Sequence, residues 1–366
     1  MNVIRRCTRW LVAALLLAAA LGPPPARAGE TDVSNRVAVS LEYDDNVYNT
    51  HRLPKGDELG RLFYDFGLNW YMTPNNLWLT NYDLGGRLYF HEDPEDALIN
   101  QLMLGYTNYS IPTVQFGATL TGKLRNIRSA EEDYLKTIAR AFAGVRIVDM
   151  FYVGAHAEYS QFNFRAFRGY DYWTERAGGE ARYDWGRAFS VGLGYDYEQK
   201  TFPYYRALKN IGTATNAVLI ESAAARVDDL NEASLQLRYQ HTFLEELPFL
   251  GTFSYMYQNF DSNSYGDTYG NHLISLGLSQ YATPNLSLHF LGVFQVLGAH
   301  QKLVIPFNYA VEEGDENFSQ LEARVNYEFV EHLSVYAAFR RYWTTYPNDP
   351  FNFVKDLYAI GFSASF

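Results

Sequence analysis

Strict alternation of apolar and polar residues over about ten positions is the feature that most constrains this chain. In residues 189–198 the odd positions read Phe, Val, Leu, Tyr, Tyr and the even positions read Ser, Gly, Gly, Asp, Glu. The same pattern returns in residues 114–125, 235–240 and 321–329. A strand in a soluble sheet usually has about five or six residues, whereas a strand that crosses a bilayer needs about nine to eleven and one apolar face. The pattern therefore predicts membrane-crossing strands.

Composition favours a barrel over a bundle of membrane helices. After residue 28 no apolar run is long enough for a spanning helix, and the mean hydropathy is −0.25. Yet 17% of the residues are aromatic, including 30 Tyr and 25 Phe. A membrane barrel combines an apolar outer face, a polar interior and aromatic girdles at both interfaces. A secreted soluble β-sandwich is the competing interpretation.

The first residues predict export from the cytoplasm. Residues 5–9 are rich in arginine, residues 10–21 are apolar, and Ala-Arg-Ala at 26–28 is a small-x-small cleavage site. This is the organisation of a secretory signal peptide, with cleavage expected after Ala28. An uncleaved anchor is the alternative. We predict a signal peptide at 1–28 and one β-barrel domain at 29–366.

Charge and cysteine content exclude several classes of function. The chain has 30 basic and 41 acidic residues, and residues 1–28 carry arginines but no acid. The mature part is therefore more acidic still, which argues against nucleic acid as a partner. The only cysteine is Cys7, which leaves with the signal peptide. Disulfides, thiolate metal sites and a cysteine nucleophile are excluded for the mature chain.

Connections of alternating length predict the topology. Short turns fall near residues 73–76, 111–113, 148–150, 185–187, 244–248, 283–285 and 330–332. Longer polar connections lie between them, the largest at 201–228. Seven turns and eight loops give an up-and-down antiparallel meander of 16 strands, with a range of 14–18 and both termini periplasmic. The predicted strands begin near Val37, Leu62, Leu77, Leu98, Val114, Leu135, Phe151, Tyr172, Ala188, Asn231, Phe249, Asn271, Leu286, Phe318, Leu333 and Phe353. Residues 216–221 could instead extend a hairpin, and residues 303–305 could extend strand 13.

Both ends of the predicted barrel carry a family resemblance. Residues 358–366 place apolar side chains at every second position and end on Phe366, which resembles the C-terminal signal read by the outer-membrane barrel assembly machinery. The opening strand, Val-Ser-Leu-Glu-Tyr-Asp-Asp-Asn-Val-Tyr at 39–48, resembles the start of the beta-barrel porin 2 family. Barrels of that family often accompany exopolysaccharide clusters. The resemblance implies an outer-membrane barrel over the whole mature chain and implies no catalytic residues.

The lumen-facing phase of the strands holds the candidate functional residues, because a barrel of about 16 strands leaves an aqueous channel. The basic candidates are Arg87, Lys123, Arg125, Lys136, Arg140, Arg176, Arg182, Arg238, Arg324 and Arg340, and the main acidic ones are Glu158, Glu180, Asp196 and Glu198. Four basic residues fall on the adjacent predicted strands 5 and 6. Such a ladder could steer anions. Alternatively, the arginines pair with nearby acids and stiffen the wall.

Aromatic residues on the same phase suggest a second use of the lumen. Phe63, Tyr71, Tyr152, Tyr336 and Tyr342 are predicted to point inward, where sugar rings could stack on them. The alternative is that these rings belong to the girdles and that the predicted phase is wrong by one residue.

Sequence motifs give little support for an enzyme. The eight histidines occur outside Gly-x-Ser-x-Gly and His-Glu-x-x-His contexts. His156 and Glu158 would share a strand face, most simply as a hydrogen bond. The acidic runs at 44–46 and 312–315 do not have EF-hand spacing. We therefore predict no catalytic residue, no cofactor and no metal.

These observations lead to an expected function and expected partners. We expect passage of a hydrophilic solute across the outer membrane, most specifically export of an exopolysaccharide with the help of a periplasmic partner. The lipid bilayer and the barrel assembly machinery are the other expected partners. A structural or adhesion barrel with surface loops and a plugged lumen is the main alternative, and an outer-membrane enzyme is a third.

Overall fold

Sixteen antiparallel strands form one closed barrel in the computed structural model. The structure describes residues 31–50, 52–129, 133–166, 168–213, 217–243, 247–266, 268–299, 319–344 and 352–366. The strands are β1 (Thr31–Asp44), β2 (Asp57–Thr73), β3 (Asn76–Tyr89), β4 (Ala97–Ile111), β5 (Val114–Ile127), β6 (Tyr134–Val148), β7 (Phe151–Phe164), β8 (Tyr172–Trp185), β9 (Phe189–Asn210), β10 (Leu219–Phe243), β11 (Leu247–Ser262), β12 (Tyr269–Thr283), β13 (Leu286–Ala299), β14 (Ser319–Val330), β15 (Leu333–Trp343) and β16 (Val354–Ser365). Each strand pairs with its neighbours in sequence, and β1 pairs with β16. The all-β class, the meander and the count of 16 are confirmed.

Most strand starts lie within two residues of the predicted ones, but β1 and β2 begin six and five residues earlier and β10 begins twelve residues earlier. β9 continues to Asn210 and β10 begins at Leu219, so the long connection predicted at 201–228 is wrong and the alternative of a hairpin extension is confirmed. The extension is held by side-chain packing: Phe202 is buried, and Tyr205 stacks on Tyr170 with ring centroids 5.5 Å apart. The predicted signal peptide, the acidic run at 312–315 and the possible strand at 303–305 lie outside the described residues.

The extended hairpin contains two register shifts, and a neighbouring loop bonds to it beside the first. Glu221 pairs with Leu208 and Ala225 pairs with Arg206, so residues 222–224 bulge out of β10. The β11–β12 loop meets the hairpin here: Tyr265 donates its backbone N–H to the carbonyl of Leu208 at 2.9 Å. The backbone N–H of Leu208 donates to Ser264 Oγ at 3.1 Å. The loop thus fastens the hairpin to the adjacent strands.

The seam between β1 and β16 closes the barrel. The register runs from Arg36 opposite Ser365 to Asp44 opposite Leu357. At the short-turn end, Asn35 and Phe366 exchange backbone hydrogen bonds of 3.0 and 2.8 Å. At the long-loop end, Lys355 Nζ lies 2.8 Å from the buried Asp44 carboxylate. Closure leaves no open sheet edge along the seam, which a strand in hydrocarbon requires.

The outer face of the barrel carries the apolar phase of the strands. Leu193, Ile360 and Phe362 are each about 60% exposed. Exposed aromatic rings mark both margins of this surface, as girdles do in membrane barrels. At the short-turn margin these rings include Trp70, Trp78, Tyr183, Tyr239 and Tyr327, and at the long-loop margin they include Tyr43, Tyr159, Tyr195, Tyr257 and Tyr358. Within the described residues, neither of the two short 3-10 helices could cross a membrane.

Arginine substitutions on β9 should distinguish the two faces. Leu193 lies in the middle of the outer apolar run, so Leu193→Arg should cost about 2–4 kcal/mol of unfolding free energy if it sits near the bilayer midplane. Gly192→Arg is the matched control, because a Cβ at Gly192 would meet only Gln236 Cβ at 3.7 Å, a relaxed contact. Denaturant unfolding in lipid vesicles measures both. Equal tolerance of the two variants would refute the assigned faces.

Candidate functional site: the inner wall

Contacts that skip a strand identify the inner wall. Arg176 on β8 reaches Glu232 on β10 at 3.2 Å, although β9 lies between them. His156 on β7 likewise reaches Asp196 on β9 at 2.8 Å. Side chains on alternate strands converge only on the concave face of a barrel. The cross-strand registers place the other candidates on this same face: Arg87, Lys123, Arg125, Lys136, Arg140, Arg182, Arg238, Arg324, Arg340, Glu158, Glu180 and Glu198.

A hydrogen-bonded belt crosses the inner wall from β7 to β12. Arg176 is its centre, with Asp196 at 3.1 Å and Glu232 at 3.2 Å. Gln258 donates to Glu232 at 3.0 Å, and Asn271 donates to Gln258 at 2.8 Å. Charge-assisted bonds of this kind are stronger than neutral ones. In this sector the arginine is neutralised by wall carboxylates and cross-links neighbouring strands.

Several other basic candidates also have partners on the wall. Arg340 pairs with Glu322 at 3.2 Å, and Arg182 pairs with Asp184 at 3.3 Å. Arg87 donates to the carbonyl of Glu95 at 3.2 Å. Such contacts fix the side chains and reduce the charge that a solute would meet.

The sector formed by β4, β5 and β6 differs in its charge. Its inner face carries Lys123, Arg125, Lys136, Arg140 and Arg146, and these three strands place no carboxylate on that face. Lys123 lies directly opposite Lys136 in the register, an arrangement of like charges that costs stability unless negative charge is nearby. Acids flank the sector on both sides: Glu158 on β7 lies opposite Arg140, and Asp83 on β3 lies opposite Gln101, the β4 partner of Lys123.

In the part of the chain that the structure describes, the wall facing this basic sector carries no Asp, Glu, Lys or Arg, and its polar side chains alternate with apolar ones such as Met256, Leu273 and Val293. In a closed ring of 16 strands, β13 lies across from β5. The inner faces of β11, β12 and β13 carry hydroxyl and amide groups, including Thr252, Ser254, Gln258, Asn271, Ser275 and Gln295. Charge on one side and neutral hydrogen-bonding groups on the other make the interior electrostatically asymmetric.

The inward aromatic residues lie against the wall. Tyr152 and Tyr336 are less than 10% exposed, with the guanidinium of Arg182 5.3 Å from the Tyr152 ring and that of Arg324 4.0 Å from the Tyr336 ring. Each ring lies over a glycine: a Cβ at Gly144 would meet the Tyr152 hydroxyl at 2.1 Å, and one at Gly361 would meet the Tyr336 ring at 2.5 Å. The ring faces are thus occupied, so the expected stacking of sugars on these two residues is wrong.

The other three predicted aromatics have the same inward phase. The registers place Phe63 and Tyr71 on the inner face of β2, and Tyr342 on that of β15. Phe63 and Tyr71 are each 36% exposed. They offer the more open rings of the set.

The rim at the long-loop end holds a group of three metal-ligating side chains. Donor atoms of Asp57, Glu58 and His91 lie within 4.8 Å of one another. Asp57 is already engaged: it accepts the backbone N–H groups of His91 and Glu92 and contacts His91 Nδ1 at 2.8 Å. The hydrogen bond with Asp57 raises the pKa of His91 above its ordinary value. The group is best described as a hydrogen-bonded rim contact.

A serine-histidine cluster on the inner wall was not predicted from the sequence. His289 on β13 lies between Ser279 on β12 and Ser287, two residues before it on its own strand. The available signal was Ser-x-His, a spacing that puts both side chains on one face of a strand. Its other members come from two neighbouring strands, which a linear motif cannot show.

Together, the closed meander, the girdled apolar exterior and the charged interior define a β-barrel of the outer-membrane type. No family model matches the chain, so the resemblance to the beta-barrel porin 2 family stays a prediction. A search of curated proteins found no match. Among solved structures, CdiB from Acinetobacter baumannii is similar at 11% identity with a TM-score of 0.51, over 90% of this chain and 60% of that one. This likeness shows the fold.

Two further structures align over nearly their whole length at lower scores. A bacterial polysaccharide outer membrane secretin has 12% identity and a TM-score of 0.46, over 91% of this chain and 98% of its own. OmpT, an outer membrane protein of Vibrio cholerae, has 11% identity and a TM-score of 0.46, over 93% and 99%.

Removing Arg176 should destabilise the barrel more than removing an arginine outside the belt. Arg176→Gln leaves several wall carboxylates facing one another, and we expect a loss of about 1–3 kcal/mol because the site is partly hydrated. Arg238→Gln is the control, since Arg238 donates to Gln240 at an exposed position, and should change stability by less than about 0.5 kcal/mol. Urea unfolding followed by tryptophan fluorescence measures both. Equal losses would contradict the assigned role of the belt.

The rim contact predicts a pH effect. Because the pKa of His91 is raised in the folded state, its protonated form stabilises the rim below about pH 6.5, and this contribution is lost as pH rises through the folded pKa. Asp57→Asn should lower the pKa of His91, measured by NMR titration and assigned with His91→Gln. Glu95→Gln in the same loop is the control and should leave that pKa in place. An unchanged pKa in Asp57→Asn would contradict the contact.

Proposed function

We propose that the protein is an outer-membrane channel for a hydrophilic solute, with exopolysaccharide as its specific cargo. The observation that carries the proposal is the inner wall: a closed ring of 16 strands lined by charged and polar side chains. A barrel of this strand number has a lumen wide enough for water and solutes. A barrel whose interior is filled only by packed side chains would instead have an apolar inner wall.

The charge distribution supports passage of anions. Lys123, Arg125, Lys136 and Arg140 form one basic sector on β5 and β6, whereas Arg176 is neutralised within the belt. Fixed positive charge raises the local concentration of anions. The hydroxyl and amide groups on the facing wall are suited to hydrogen bonding with a hydroxyl-rich chain.

The exopolysaccharide assignment draws on the opening strand. Residues 39–48 resemble barrels that accompany exopolysaccharide clusters, and a polymer made inside the cell must cross the outer membrane to reach the surface. In this proposal the chain is exported by its signal peptide and inserted by the barrel assembly machinery. A separate periplasmic protein delivers the polymer to the short-turn end.

Planar-bilayer recordings test the pore and its charge. We expect steady conductance with a preference for anions, strongest at low salt, where screening is weakest and the Debye length is about 30 Å at 0.01 M. Replacing Lys123, Arg125, Lys136 and Arg140 together by Glu should shift the preference toward cations. Exchanging Lys for Arg and Arg for Lys at the same four positions keeps the charge and is the matched control.

The outcomes separate the candidate functions. A folded barrel without conductance would support the adhesion barrel with a plugged lumen and refute the channel. Conductance unmoved by the reversals would retain the pore and refute the anion pathway. Deletion of the gene should leave polymer in the periplasm if exopolysaccharide is the cargo, and unchanged surface polymer would refute that cargo.

A further inference from the structure

The serine-histidine cluster lies on the inner wall near the short-turn end of the barrel. Ser287 is the second residue of β13, and His289 follows on the same face. The registers place Ser279 of β12 and Arg324 of β14 on either side of His289, and Asn326 of β14 beside Ser287. Three adjacent strands thus bring five polar side chains together.

The imidazole of His289 joins the two serines. Ser287 Oγ lies 3.0 Å from His289 Nε2, and Ser279 Oγ lies 2.9 Å from His289 Nδ1. In the tautomer with hydrogen on Nδ1, the ring donates to Ser279 and its free Nε2 accepts the hydroxyl proton of Ser287. A nucleophile bonded to a base that is itself oriented by a third group is the arrangement that activates serine.

One hydrogen-bond donor reaches the hydroxyl that would attack. Asn326 Nδ2 lies 3.3 Å from Ser287 Oγ. Arg324 holds this amide in place, because its Nε donates to Asn326 Oδ1 at 2.7 Å while its guanidinium lies 4.0 Å from the Tyr336 ring centroid. Amide and guanidinium groups at this position can stabilise negative charge that develops on a carbonyl oxygen.

A cavity gives access to the cluster. Its volume is about 260 Å³, and Ser287, His289, Arg324 and Asn326 line it together with Arg36. This is smaller than the roughly 300–1,000 Å³ of pockets that take drug-sized ligands. The cavity therefore has room for a short acyl group beside a polar alcohol.

We propose that Ser287 is the nucleophile of an esterase site for short acyl esters, with His289 as its base. Ser287 Oγ attacks the ester carbonyl carbon while its proton passes to His289 Nε2. The bond to the alcohol oxygen then breaks, and that oxygen takes the proton from His289. Water, deprotonated by His289, attacks the acyl-Ser287 carbonyl. The bond to Ser287 Oγ then breaks, Oγ takes the proton back from His289, and the carboxylic acid leaves. The reaction requires no oxidant, metal or cofactor.

This site goes beyond the proposed transport function, and its chemistry can be tested without conductance. An alkyl fluorophosphonate probe, which reacts with activated serines, is added to the folded full-length barrel in detergent micelles. Mass spectrometry of the digest should find the label on Ser287. Hydrolysis of 4-nitrophenyl acetate should exceed that of 4-nitrophenyl palmitate.

Variants connect the activity to the named residues. Ser287→Ala should abolish labelling and hydrolysis, and His289→Gln should slow both by about 10²–10⁴-fold, as expected for loss of a general base. Ser190→Ala is the matched control: Ser190 lies on the inner face of β9, outside this cavity, so activity should persist. Heat-modifiable gel migration checks that each variant is folded.

Ser279 is assigned as a positioning residue. Ser279→Ala should lower kcat and leave KM unchanged, because the hydroxyl contacts His289 and not the substrate. Ser279→Thr should restore kcat, which a purely structural role would not require. Absence of label on Ser287 in the folded wild-type barrel would overturn the proposal. Hydrolysis retained in Ser287→Ala, or labelling unchanged in His289→Gln, would do the same.

Discussion

Backbone hydrogen bonding in a medium without water is the constraint on which the rest of this molecule depends. A peptide group left unpaired in hydrocarbon costs several kcal/mol, so a sheet placed there must pair its first strand with its last. The bonds between Asn35 and Phe366 and the nine-residue register of β1 on β16 meet this requirement. The start of β1 and the end of β16 therefore lie together at the short-turn side of the barrel.

Closure also decides what the interior can be. Side chains alternate between the two faces of each strand, so the residue next to an outward apolar residue points into the barrel. The register between strands then decides which inner side chains lie together. The belt around Arg176 uses this by joining strands that are not adjacent, through Glu232. The basic residues of β5 and β6 lie outside that belt. One wall is thereby stiffened and another remains strongly charged.

The alternation along each strand was predictable from the sequence, but the contacts between side chains of different strands were not. Turn residues before Val114 and Phe151 gave those strand starts correctly, because tight turns have their own residue preferences. The extension of β9 and β10 was predicted only as an alternative to a long loop, since above the lipid the outer face need not be apolar and the alternation fades. The phase of Tyr152 was read from the sequence, but its fit over Gly144 depends on the register of β6 against β7. The cluster at His289 was missed for the same reason.

The hairpin of β9 and β10 shows what happens where the ring of strands ends. Above Thr201, β9 no longer pairs with β8, so the sheet regains the open edges that closure had removed. Such edges recruit strands from other molecules. Here the β11–β12 loop forms hydrogen bonds with the backbone N–H and carbonyl of Leu208. Arg206 and Lys209 place positive charge beside it. A tall hairpin of this kind can stand among densely packed copies of the same barrel with less tendency to join them edge to edge.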